Sequence, residues 1–237
     1  MTAPLARRVA AEGIGTAILV AVVVGSGIQA TSLSPDTGVR LLANSLATVF
    51  GLAVLILLFG PVSGAHFNPV VSLAAWVTDR PPLRELAAYV LAQIAGAIGG
   101  ALLANAMFAQ PLVSWSTHGR FAPHLWLGEI VATAGLILLI FGLARARLAR
   151  FAPLAVASFI GAAYWFTSST SFANPAVTVG RAFSNTFAGI APASVLPFVA
   201  AQLVGAAAGL GLVALVFGRQ ALAETDIVVP HLTSDAH

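Results

Sequence analysis

Two short phrases hold most of the usable polar chemistry of this chain, and they nearly repeat each other. They are His66-Phe67-Asn68-Pro69-Val70-Val71-Ser72 and Ser171-Phe172-Ala173-Asn174-Pro175-Ala176-Val177-Thr178. Asn caps a helix through its side-chain oxygen and Pro suits the first turn, so each Asn-Pro pair reads as a helix start. With the oxygen used as a cap, the amides of Asn68 and Asn174 remain as donors. Such donors bind and orient a polar molecule; they do not break bonds. Two acids, Glu12 and Glu129, head a second pair of matching phrases, Glu12-Gly13-Ile14-Gly15-Thr16 and Glu129-Ile130-Val131-Ala132-Thr133. Bond-making chemistry finds no footing. The chain shows no base–nucleophile pair, and its five His have no metal-ligand spacing. It has no cysteine, which excludes disulfides, thiolate metal sites and Cys nucleophiles. No enzyme, metal or cofactor is expected.

The elements that position these residues are set by composition. Of 237 residues, 59% are hydrophobic and 8% are charged, about a third of the roughly 25% charged residues usual in soluble domains. Long apolar stretches run at about Val9–Ala30, Leu41–Phe59, Leu83–Phe108, Leu125–Leu143, Phe151–Ser169 and Val195–Phe217. Each approaches the ~20 residues needed to cross a bilayer. Arg7 and Arg8 precede a run too long for a signal-peptide core and interrupted by Glu12, so this run reads as a first span. The chain has no lysine. Arg7, Arg8, Arg80, Arg84, Arg145, Arg147, Arg150 and Arg219 fall on one side of a six-span arrangement, against Arg40, Arg120 and Arg181 on the other. The positive-inside rule then places residues 1–8 and a polar tail, 218–237, in the cytoplasm. The arginines are dispersed without an aromatic platform, which argues against a nucleic-acid partner.

The repeat is longer than the Asn-Pro pairs. Ala92-Gln93-Ile94-Ala95-Gly96 matches Ala201-Gln202-Leu203-Val204-Gly205, in spans three and six. Repeat one covers about 9–110 and repeat two about 125–217. Three spans per repeat is an odd number, so the halves must be inverted in the membrane. Gly96/Gly100 and Gly205/Gly209 give small-xxx-small faces for close helix packing. The segments Asn68–Thr78 and Asn174–Phe187 are too short to span and are expected to form half-helices starting near the midplane. Backbone broken at that depth survives where it is buried or lines a wet cavity.

Glu12 and Glu129, Ser63-Gly64-Ala65-His66-Phe67-Asn68-Pro69-Val70, Ala92-Gln93, Asn174-Pro175-Ala176 and Ala201-Gln202 together resemble the aquaporin superfamily, the major intrinsic proteins. The resemblance covers roughly Val9 to Phe217. It implies an all-α membrane fold of six transmembrane helices plus two re-entrant half-helices in two inverted repeats. Each protomer of such a fold holds its own pore, usually within a homotetramer. In aquaporin-type pores the facing positive ends of half-helix dipoles exclude cations and protons. The resemblance also implies that Glu12 and Glu129 are structural carboxylates holding loop backbone. His66 matches an inner-vestibule position, with a packing role as the other reading.

The departures from the family carry the substrate expectation. Its outer constriction is normally built from four positions, which map here to Thr48, Ala162, Ser171 and Val177, with Phe50 replacing Thr48 if the alignment has a gap. The usual Arg is replaced by Val177, and the first motif reads Asn-Pro-Val, ending in Val70. All four ring positions are small, so a wide, apolar opening with a polar stripe is expected. Arg181, one turn beyond Val177, is expected at the outer rim. The ring resembles that of bacterial aquaglyceroporins encoded beside arsenic-resistance genes. This implies a bacterial inner-membrane channel for glycerol-like polyols, arsenite and related metalloids, with organic arsenicals and water as further solutes. The alternative is a proton-coupled transporter using Glu12 and Glu129, since intramembrane acids are functional candidates by default.

Overall fold

Six of the apolar segments become long helices in the computed structural model, which describes residues 3–218. In chain order the helices are α1 (Leu5–Leu33), α2 (Thr37–Ser63), α3 (Pro69–Asp79), α4 (Leu83–Met107), α5 (Pro123–Arg145), α6 (Ala152–Phe166, after a short 3-10 turn at Ala149–Phe151), α7 (Pro175–Arg181) and α8 (Pro192–Phe217). All but α3 and α7 belong to segments long and apolar enough to cross a membrane. No strand occurs among the described residues. The order long, long, short, long appears twice. The tail expected over 218–237 lies, apart from Gly218, outside the described residues, as do Met1 and Thr2.

α2 outruns its apolar stretch because both of its ends are capped. α2 begins at Thr37, where the Asp36 side chain accepts from Val39 N–H, and closes at Gly64 in the left-handed conformation. α7 is a correction to the expected half-helix Asn174–Phe187, since it stops at Arg181. The carbonyls of Ala182 and Phe183 accept instead from Ser116 and Ser114 N–H, so the α4–α5 connection takes the acceptors a longer helix would use.

Within each half the first and third spans pack most extensively, α1 on α4 and α5 on α8, while α2 meets α6 across the halves. The glycine faces allow this. A Cβ on Gly96 or Gly100 would run into the carbonyls of Gly13 or Ala17 on α1. On Gly205 or Gly209 it would lie 2.6 Å from the Ile130 carbonyl or 2.7 Å from that of Ala134 on α5. Backbones this close leave room for nothing larger than hydrogen. The outward surface is apolar, with Phe50, Leu57, Leu91, Leu127, Leu196 and Leu215 all exposed, as a lipid-facing surface requires.

Candidate functional site

Each half-helix is preceded by a loop that the chain could not hold by itself. Ala65, Phe67, Ser171 and Ala173 all take left-handed φ values between 47° and 50°. Non-glycine residues adopt this conformation at a cost and keep it only when the surroundings over-determine it. Glu12 and Glu129 do so. Both are fully buried. Glu12 Oε1 accepts from Ser63 Oγ (2.6 Å) and His66 N–H (2.9 Å), and its Oε2 from Phe67 N–H (2.6 Å) and Gln93 Nε2 (2.8 Å). Glu129 accepts from Phe172 N–H (2.8 Å), Ala173 N–H (2.8 Å) and Gln202 Nε2 (2.6 Å). The two glutamines repeat the symmetry, because Gln93 also donates to Ser72 Oγ and Gln202 to Thr178 Oγ1, each 2.9 Å away.

The carboxylates shape the wall on the other side of the loops. In a trans peptide the N–H and the preceding C=O point in opposite directions, and no cis bond is present among the described residues. The N–H groups of His66, Phe67, Phe172 and Ala173 aim at carboxylates. The carbonyls of Ala65, His66, Ser171 and Phe172 therefore aim away from them. All four residues line a common cavity, and their carbonyls lie on the side of each loop opposite its carboxylate.

At the loop ends, Asn68 Oδ1 caps Val70 N–H (3.1 Å) and Asn174 Oδ1 caps Ala176 and Val177 N–H (3.0 and 3.2 Å). Pro69 and Pro175 open the two half-helices. Both Asn residues line the cavity. Their amides are not wholly free, which corrects the reading from sequence. Asn68 Nδ2 donates to the Ala173 carbonyl (2.8 Å), and Asn174 Nδ2 to the Phe67 carbonyl (2.7 Å). The two loops thus clasp each other reciprocally, and each amide keeps one further N–H for the lumen. Val70 and Ala176 are fully buried against the core.

The rest of the wall is apolar: Leu19 and Val23 of α1, Leu52 and Ile56 of α2, Leu136 and Ile140 of α5, and Val156 and Ile160 of α6. His66 lines one stretch, with Nδ1 3.0 Å from Ser72 Oγ and its ring edge-on to Tyr89. Thr48, Ser171 and Val177 lie in the wall as well. Thr48 is 3% exposed and lies in this wall, while Phe50 is 66% exposed and is absent from it. Ser171 Oγ is buried without a protein partner among the described residues. Ala162 is a correction: it faces outward and is absent from the wall. Residues four apart share a helix face, whereas two apart they lie on nearly opposite faces. The α6 residues that reach the cavity are accordingly Val156, Ile160 and Tyr164. Tyr164 OH lies 3.2 Å from Thr48 Oγ1. A phenol that sequence reasoning did not single out thus lines the cavity beside Thr48.

Arg181 is a further correction. Instead of facing the outer rim it is 3% exposed and lines the cavity. The i, i+4 rule that places 160 with 164 also places 181 with 177, and it was the signal available in the sequence. Arg181 Nε donates to the Ala188 carbonyl, and its guanidinium carbon sits 3.4 Å from the centroid of the Phe172 ring. Arg120, on the connection between α4 and α5, lies 5.0 Å from the same centroid and donates to the Gly189 and Ser169 carbonyls, both at 3.2 Å. Burial pulls the Arg120 guanidinium below its ordinary value. His118, on the same connection, is held below the usual imidazole value by partial burial and then by Arg120 and Arg181. No group of three or more potential metal ligands occurs among the described residues.

Comparison with known proteins agrees with this geometry. The family model described as "Major intrinsic protein" matches residues 1–173. The chain is 51% identical over 209 residues to aquaglyceroporin AqpS of Rhizobium meliloti (strain 1021), covering 88% of this chain and 89% of that one. It is 34% identical to aquaporin Z of Brucella melitensis biotype 1, over 85% of this chain and 94% of the other. The X-ray structure of the aquaglyceroporin from Plasmodium falciparum superposes with a TM-score of 0.69, covering 90% of this chain and 97% of that chain at 22% identity, a likeness of fold.

Proposed function

This chain belongs to the major intrinsic protein family and is a multi-pass membrane channel for small solutes, and from that premise we propose that its solutes are uncharged and larger than water. The solutes proposed are glycerol-like polyols, arsenious acid and related metalloids, with organic arsenicals and water able to use the same path. The observation that carries this reading is the character of the wall. Its long faces are apolar, the loop carbonyls turned from the carboxylates are proposed as its column of acceptors, and Val177 rather than a guanidinium follows Asn174 by three residues. An apolar wall does not replace the hydration of an ion, so ions are excluded, while a neutral polyol exchanges its water for the column of carbonyls and the Asn donors. Thr48, Tyr164, Ser171 and Val177 form the proposed constriction, with His66 at the inner vestibule. Similarity to a protein named an aquaglyceroporin supports the polyol assignment.

Glu12 and Glu129 are proposed as structural groups. Neither lines the cavity, and both are filled with loop N–H and Gln donors, so a proton-coupled cycle would have to break the loops it depends on. We further propose a homotetramer in a bacterial inner membrane with both termini cytoplasmic. The test of mechanism is uptake of labelled glycerol by proteoliposomes. Uptake should be linear in the gradient and unchanged by a protonophore. Accumulation above equilibrium that a protonophore abolishes would assign a coupled transporter instead.

A further inference from the structure

We propose that Arg181 supplies, from one turn further along α7, the pore guanidinium that Val177 does not. The inference rests on the channel reading above and specifies the chemistry of its wall. Arg181 is buried and lines the cavity. Its side chain is fixed on two sides, by the Nε–H bond to the Ala188 carbonyl and by the Phe172 ring beneath it. It has no ion pair: the salt bridge found among the described residues joins Arg8 and Glu85. Arg120 reaches the same aromatic ring, so the neighbouring charge is another cation. A buried cation with one carbonyl partner and no anion is very costly unless its other N–H groups meet water or solute. A guanidinium carries five N–H donors, so four remain for the lumen.

Two consequences follow. The guanidinium donates to the hydroxyls of a passing neutral solute, in a cavity whose wall also holds Ser171, its Oγ without a protein partner. It also places positive charge in the cavity wall, with Arg120 on the same Phe172 ring, which repels cations. The charge and donors attributed to the family's ring position are thus retained, displaced by four residues, and the space at Val177 stays open beside them.

The test uses the full-length protein in proteoliposomes, with flux normalised to protein in the membrane. The variants are Arg181→Met and Arg181→Lys, read by the ratio of glycerol to water permeability and by leak of guanidinium ion. Met keeps the stem on Phe172 but removes charge and donors. Lys keeps charge on a single ammonium that cannot stack as a plane. The glycerol-to-water ratio should change in both variants, by about tenfold for Met, the scale of one charge-assisted hydrogen bond. Guanidinium leak should appear in the Met variant and stay absent in wild type and Lys. An unchanged ratio with no cation leak in a membrane-inserted Met variant would make Arg181 a loop anchor and overturn the inference. If Met does not insert, the Lys ratio alone decides, and an unchanged ratio overturns it. Failure of the wild type itself to conduct glycerol counts instead against the channel reading.

Discussion

Val177 and the two asparagines bear the account at the scale of single residues. Val177→Arg would place a second guanidinium in the wall, one helical turn from Arg181. It would fill space in the wall and add like-charge repulsion. Glycerol and arsenious acid flux per inserted protein should fall by a larger factor than water flux. Unchanged flux of the larger solutes would mean that residue 177 is not at the constriction. Asn68 and Asn174 each cap one half-helix and clasp the opposite loop. Asn68→Ala or Asn174→Ala loses a cap of ~1 kcal/mol and leaves the opposite loop carbonyl without its donor. Each single variant should melt earlier in detergent and conduct less. The double variant should lose less than the sum, because the first change already loosens the clasp that the second would break. Wild-type melting and flux in the double variant would remove the pair from both roles.

The same logic at the scale of elements concerns how closely helices approach and how they are rotated. Gly100 faces the Ala17 carbonyl with no room for a Cβ. Gly100→Val must separate α1 from α4, shift Glu12 away from the loop it holds, and destabilise by about 1–3 kcal/mol, as overpacking does. Expression and thermal melting in detergent should both drop, whereas Gly99→Val, at a glycine with open space around it, should leave them unchanged. Equal effects at the two positions would contradict the packing argument. Element rotation also explains what the sequence made legible. Asn68, Asn174, Glu12, Glu129, Gln93 and Gln202 were readable because their types repeat in register, and a repeat needs no knowledge of side-chain direction. Ala162 and Arg181 were misplaced and Tyr164 was not read, because reaching the cavity there turns on which face of α6 or α7 meets it. Counting from a family position shifted α6 by two residues, which reverses the face. The short α7 was hidden for a different reason: the Ser114 and Ser116 N–H groups that end it come from a connection distant in sequence.

For the whole molecule, the inverted halves explain why one path forms between them. Two loops, each pinned from behind by its own carboxylate, meet at the middle and clasp. Such a wall is rigid, and its fixed acceptors cost no reorganisation as a solute passes, which suits a passive pore better than an alternating-access cycle. The apolar outer surface fits lipid and contact with further copies, and the proposed tetramer should appear as a fourfold mass of the protomer in native mass spectrometry after detergent removal in the gas phase. A monomer at every detergent concentration would contradict it, without touching the pore, since all of its wall residues come from one chain. The central claim, passage of neutral solutes larger than water, is tested most directly by stopped-flow light scattering. Proteoliposomes are mixed with a hyperosmotic step of glycerol or of arsenious acid and compared with protein-free vesicles. The account predicts shrinkage followed by reswelling that is faster with the protein for both solutes. Reswelling no faster than in protein-free vesicles, in a preparation whose protein is shown to be folded and inserted, would contradict it.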